Sequence, residues 1–308
     1  MRKNRELIYG AIVLVVLALG FGGGPSVYGN QSLLFMMMAY VALAQGLNVA
    51  YGFTGYLPFG YVGFFGIGAY GAALPVLFWH WPAVAAVIAG GIVAMVIGVV
   101  LAPLLRLSGA YFSIANLAAA EVLYYVVANP NLTAFTQGPY GVKLTSIFDP
   151  TFSYATLLVV MLLATGAVIY LRVSRLGLAL RAINQDPVSA NTAGVNVVKG
   201  RLIAWLLSAL IAGLVGGVYG WHISVFYPET VFSLQISVFA IVFVLFGGAG
   251  TVVGPIAGAI VLYGLYNFIG ISTPQYFQLI YGALIVALVL FLPRGIASLL
   301  QRGGRSVF

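Results

Sequence analysis

The side chains that can do chemistry in this chain are few and scattered. Five acids stand among 308 residues, and there is no cysteine. Thiol nucleophiles, disulfides and Cys-ligated zinc are therefore excluded. His80 and His222 lie far apart, each near the end of an apolar run, and neither belongs to a cluster with metal-ligand spacing. Each reads as an interfacial histidine, and no metal site is expected. The three lysines are followed by Asn4, Leu144 and Gly200. A Lys-Ser or Lys-Thr phosphate loop is thus absent, and so is a Gly-x-Ser-x-Gly elbow. Any ATP chemistry must sit on another chain.

What remains is polar groups and glycines set in apolar surroundings. Glu121 is the one acid inside an apolar run. A carboxylate there either hydrogen-bonds locally or belongs to a pathway or gate. Asn48, Thr54, Ser113, Asn116 and Gln235 either line a pathway or tie helices together. Gly52, Gly55 and Gly60 form a spaced set that is echoed by Gly247, Gly250, Gly254 and Gly258. The two sets lie an odd number of helices apart, as an inverted repeat would place them. Gly213-x3-Gly217, Gly216-x3-Gly220 and Gly254-x3-Gly258 present small faces for close helix contact within a bundle. Asp186-Pro187 is a cap followed by a first-turn proline, and Gly194 is placed as a stop. That spacing predicts a short helix over Pro187–Ala193.

The elements that must position these groups follow from composition. The chain is 62% hydrophobic and 6% charged, against about 25% charged in soluble domains. A soluble fold could not cover its surface with so few charges, whereas bilayer hydrocarbon is a solvent that suits it. A span needs about 20 apolar residues, and the chain divides into candidate runs at Leu7–Phe21, Leu33–Ala50, Phe59–Phe78, Val84–Leu105, Tyr111–Ala128, Tyr154–Leu171, Arg201–His222, Leu234–Gly248, Val253–Ile269 and Tyr276–Leu292. Breaks such as Gly22–Pro25, Trp81-Pro82, Asn129–Asn131, Tyr227-Pro228 and Thr273-Pro274 carry turn chemistry. The expected fold is an all-α polytopic membrane bundle of about ten helices, with eight to eleven compatible with the pattern. It occupies residues 1–308 as one domain.

The net charge of +8 does not point to nucleic acid, because of where the charges fall. With the N-terminus in the cytoplasm, ten spans put every Lys and Arg except Lys143 on the inside, including Arg106, Arg172, Arg175, Arg181, Lys199, Arg201, Arg294, Arg302 and Arg305. Both termini are then cytoplasmic. If Met1–Gly20 were instead a cleaved signal segment, the later basic loops would face outward. Two polar stretches stand out: residues 129–150, expected outside, and residues 174–200, expected inside.

Four stretches, in order, carry a resemblance. They are Gly46–Val49 with Gly52, Gly55, Gly60 and Phe64–Tyr70; Leu105–Leu107 with Gly109–Ile114, Leu117-Ala118 and Glu121; Leu180–Ile183 through Gly194–Asn196, with Ser208-Ala209 and Ala212-Gly213; and Phe246–Thr251 with Gly254-Pro255 and Phe291–Gly295. Over roughly Leu43–Ile296 the chain resembles the permease subunits of branched-chain amino acid ABC importers, LivM-type. The resemblance implies a transport subunit of a bacterial or archaeal plasma membrane, with no catalysis and no cofactor of its own. It implies cytoplasmic ATPase partners carrying ATP and Mg, a second related permease, and a periplasmic or other extracytoplasmic binding protein. It implies a coupling segment at about 174–200, in which Arg181, Asp186, Pro187, Ala190 and Gly194 meet the ATPase. Asn48, Gly55, Gly60, Asn116, Glu121, Gly250 and Gly254 are the pathway or packing candidates. Tyr56, Pro58 and Tyr61 depart from the Gln, Ser and His often found in relatives, and Asn184–Pro187 is closer to the sister LivH type. Urea and short-amide permeases share the scaffold, so the substrate stays open between apolar amino acids and these. An ion-coupled carrier working alone is the other alternative.

Overall fold

The computed structural model describes residues 2–23 and 29–272, with isolated positions between 275 and 286. Among the described residues, eight helices are long and apolar enough to cross a bilayer, and a ninth apolar helix, Glu6–Gly22, is shorter. In chain order they are α1 (Arg2–Gly22), α2 (Gln31–Leu47), α3 (Val62–Trp79), α4 (Ala83–Val100), α5 (Gly109–Val127), α6 (Pro150–Val173), α9 (Val197–Ile223), α10 (Leu234–Gly247) and α11 (Val253–Ser272). Two shorter helices, α7 (Arg175–Gln185) and α8 (Pro187–Thr192), fill the link between α6 and α9. Each apolar run from Leu7–Phe21 to Val253–Ile269 falls on one of these spans. The expected span over Tyr276–Leu292, the Thr273-Pro274 break, and Arg294, Arg302 and Arg305 lie outside the described residues, apart from isolated positions in that span.

Local chemistry starts several helices. Asn30, Asp149, Ser174 and Asn196 each accept a hydrogen bond from the backbone N–H three residues on, at 2.9–3.0 Å. This satisfies a donor that the first helical turn leaves unpaired. Asp149-Pro150 repeats the cap-then-proline device of Asp186-Pro187.

α2 sits at the centre, mostly buried, with α6, α9, α10 and α11 packed against it. α3, α4 and α9 form a second, tighter group. Glycine makes that group possible. A methyl group at Gly68 would overlap the Gly213 backbone, and one at Gly216 would overlap the Phe65 carbonyl. Gly258 lies equally close to the Phe243 carbonyl of α10. In lipid no hydrophobic effect pulls helices together, so such close backbone approach is what supplies the contact energy. The small faces predicted from Gly213–Gly220 and Gly254–Gly258 therefore pack within this chain. α5 is the opposite case: most of it is exposed, including Tyr111, Ile114, Val122 and Tyr125.

The bundle has two distinct ends. At one, the loop 129–149 folds over α9: Val142 and Lys143 pair antiparallel with Phe226 and Val225, and Trp221 Nε1 donates to the Ile147 carbonyl at 2.7 Å. At the other end lie α7, α8 and both glycine sets.

Candidate functional site

The two glycine sets, some two hundred residues apart in sequence, meet. α2 runs on through a π-turn, Asn48–Gly52, before the chain breaks at Gly55. The break is a turn followed by an irregular link to α3, which answers how the Gly52–Gly60 stretch is built. On the other side, Gly248 and Gly250 adopt positive φ, +109° and +78°, in the break between α10 and α11. A Cβ at Gly52 would collide with the Asn48 side chain and lie 2.5 Å from the Gly250 nitrogen. Only glycine allows this crossing.

Asn48 holds the crossing. It is fully buried, accepts from Gly250 N–H at 2.8 Å and donates to the Thr251 carbonyl at 2.7 Å. One turn earlier on the same face, Gln45 donates to the Val252 carbonyl at 2.8 Å. Buried carbonyls freed by a helix break need such donors. The π-turn and the break thus leave no conflict where the backbone is irregular inside a membrane protein.

A second set of bonds ties the crossing to the surface helices. Arg172, at the end of α6, donates to the Gly250 carbonyl at 2.7 Å. Asn184, on α7, donates to the Gly52 carbonyl at 3.1 Å. Arg181 braces the α6–α7 corner by donating to the carbonyls of Arg172 and Gly177, at 3.2 and 3.3 Å. Leu180 and Ile183 are buried beneath it. A displacement of α7 is therefore carried to both breaks by short, directed bonds.

α8 ends the hairpin as its sequence predicts, to within a residue. Asp186 accepts from the Val188 and Ser189 amides at 3.0 and 3.2 Å and from the Ser189 hydroxyl. The Ser189 hydroxyl, followed by the two amides, holds the Asp186 carboxyl below its ordinary value. A depressed carboxylate contributes its capping above the unfolded value and loses it as pH falls through the folded one. The cap is thus intact at neutral pH and fails only in acid. We expect Asp186→Ala to make amide exchange across Val188–Thr192 severalfold faster at pH 7, with the difference vanishing below the carboxylate range. Equal exchange at pH 7 would remove the capping role. Gly194, at φ +86°, closes the helix, with Val195 N–H bonded to the Ala190 carbonyl. Ala190 itself is 5% exposed and turned into the bundle, whereas Val188 is 72% exposed.

The polar candidates now divide. Asn116 accepts from Gly60 N–H at 2.8 Å, and Gly60 packs against the Asn116 backbone. Ser113 donates to the Leu57 carbonyl and Thr54 to the Ala50 carbonyl. With Asn48, these are backbone ties rather than pathway walls. Gly254 packs on Gly247 and accepts no bulkier residue. Gln235 is different: it donates to the Tyr266 hydroxyl at 3.2 Å and lines a cavity of about 360 Å³. Tyr40, Phe65, Tyr219, Phe239 and Tyr263 form much of its wall, with Glu229 at the edge. Such a wall accepts apolar side chains, and the carboxylate can meet a cation. Glu121 does not line this cavity; it stands exposed on α5. His222 hydrogen-bonds to Ser153 at 2.8 Å and stacks on Phe35 at 3.6 Å. Both contacts hold helix ends together. No cluster of three potential metal ligands occurs among the described residues.

Sequence reasoning passed over Gln45, Arg172 and Asn184 as parts of this site, and α7 as a helix. Gln45 was open to discovery, since it shares a face with Asn48 three residues on. α7 carries its own signals too: the Ser174 cap and apolar residues at Leu176, Leu180 and Ile183.

Comparison with known proteins agrees with this architecture. The family described as "Branched-chain amino acid transport system / permease component" matches residues 31–289. The high-affinity branched-chain amino acid permease LivM of Escherichia coli K12 is 28% identical over 92% of this chain and 73% of its own length. LivM of Salmonella typhimurium is 27% identical over 87% of this chain and 70% of its own. A probable LivH permease of Methanocaldococcus jannaschii is 28% identical, covering 96% and 93%. No solved structure matches significantly. With eight membrane-length apolar helices and a family match over most of its residues, the chain is a multi-pass membrane protein belonging to the branched-chain amino acid transport permease family.

Proposed function

We propose that this chain is one of two permease subunits in an ATP-driven importer for branched-chain or other apolar amino acids. In this reading the hairpin end faces the cytoplasm, as do both termini, and the 129–149 loop faces outward. Partner ATPases, which carry ATP and Mg, dock on α8. An extracytoplasmic binding protein delivers substrate to the other side. Closure of the ATPases moves α7–α8, and the bonds from Arg172 and Asn184 pass that movement to the Gly52–Gly250 crossing. Rocking about the crossing exchanges outward-open and inward-open states.

The observation that carries this reading is the hairpin itself. Its inner face is bonded to two helix breaks, and its outer face presents exposed Val188 with nothing of this chain to cover it. A channel or a carrier acting alone has no use for such a surface. Glu121 supports a second permease. It is exposed within α5 among Tyr125, Val122 and Ile114. A bare carboxylate facing lipid costs about 3 kcal/mol, so protein or water must face it. The aromatic cavity supports an apolar substrate rather than urea.

Purification of the tagged chain from its host in gentle detergent tests the whole. We expect an ATPase and a second permease to accompany it, and the reconstituted assembly to take up leucine only with ATP. Because the chain has no cysteine, Tyr125→Cys gives a single probe, expected to cross-link to the second permease. A lone chain that transports without ATP would overturn the reading, as would Tyr125→Cys reacting freely with lipid-soluble label and cross-linking to nothing.

A further inference from the structure

A groove outside the crossing is left without a role. It lies between the end of α4 and the start of α9 and has a volume of about 610 Å³. Arg106 and Arg201 stand at its sides, while Val99, Leu105, Val198 and Leu202 supply apolar walls. No acidic residue lines it. Arg106 closes the 3-10 turn that follows α4, and Arg201 belongs to the first turns of α9. Both therefore sit where the bilayer's hydrocarbon gives way to headgroups. Arg201 is held: its guanidinium carbon lies 4.4 Å from the Tyr56 ring centre, and its buried Nε has no hydrogen-bond partner. An unsatisfied, partly desolvated guanidinium donor is costly unless an anion reaches it. Val99, on the exposed side of α4, continues the groove toward the lipid tails.

We infer that an acidic phospholipid binds in this groove, its phosphate between Arg106 and Arg201 and its acyl chain along Val99 and Leu202. Two arginines match a phosphate in charge and in donor geometry. Basic pockets between membrane helices on the cytoplasmic side suit anionic headgroups. The apolar wall selects a lipid over a free anion. Arg201 also stacks on Tyr56, the residue after Gly55 in the link that leaves the crossing. An occupied groove thus braces the link beside the moving part. The choice of leaflet rests on the orientation proposed above, but lipid retention is measured without regard to orientation or transport.

The test uses the full chain purified in detergent, incubated with phosphatidylglycerol or phosphatidylcholine, with retained lipid counted by native mass spectrometry. Wild type is expected to keep phosphatidylglycerol in preference to phosphatidylcholine. Arg106→Gln with Arg201→Gln should lower that retention about tenfold. Lys199→Gln, which removes an exposed charge at the same end, should not. Should the double variant misfold, Arg106→Gln alone, at an exposed side chain, should still lower retention severalfold. Equal retention of the two lipids overturns the proposal. So does an equal loss in Lys199→Gln, an unaffected Arg106→Gln, or full displacement of the lipid by millimolar inorganic phosphate.

Discussion

Val188→Asp is expected to lower ATP-driven transport about 30-fold or more, the scale of a central interface residue, while the purified chain unfolds at an unchanged temperature. The reason lies in the two faces of α8. Val188 is exposed and lies in the first turn, where a carboxylate suits the helix N-terminus. The isolated subunit therefore tolerates it. In the assembled importer the same carboxylate would be pressed into the ATPase surface beside Asp186. Basal ATP hydrolysis should persist, because the ATPases keep their own active sites. Ala190→Asp makes the contrast: Ala190 is buried in this chain, so its variant should fail to fold rather than uncouple. Full transport by Val188→Asp would mean that α8 is not the docking surface.

Gly52→Ala should be the most damaging single methyl group in the chain. Its Cβ would overlap Asn48 Oδ1 and crowd the Gly250 nitrogen and Cα, at 2.5 and 3.0 Å. Backbone cannot swing aside as a flexible side chain can. To make room the crossing must open, and the Asn48 bonds to Gly250 and Thr251 are lost with it. Overpacking and unsatisfied buried amides together put the loss at about 3 kcal/mol or more. Thermal unfolding in detergent reads this directly, and transport should fall with it. Gly166→Ala on α6 is the control, since nothing lies within 4 Å of its Cβ. If the two variants melt alike, the crossing is looser than the geometry requires and cannot serve as a pivot.

How much of this was legible beforehand depended on how far each signal reaches along the chain. The start and stop of α8 were readable because a cap and a glycine act on backbone within a few residues. α7 was readable on the same grounds, through Ser174, Leu176, Leu180 and Ile183. Asn48 and Asn116 were not. Both were seen as polar residues in apolar runs, but a pathway wall and a helix tie look identical until the partner is known. For Asn48 the partners are Gly250 and Thr251, and for Asn116 the partner is Gly60. Gln235, with the same local pattern, took the other role. Ala190 shows the same limit on a shorter scale: its place in the hairpin was evident, but not that it turns inward.

The sequence by itself determined the solvent, the helices and the family. A chain with 6% charge and long apolar runs can satisfy its backbone only by forming helices in lipid, and motif order over much of the chain pointed to the permease scaffold. The tertiary structure alone decided which polar residue meets which helix break, which face of α8 is free, and that Glu121 lies open on α5. These depend on contacts between segments hundreds of residues apart, and the composition and periodicity of one segment hold no record of what packs against it.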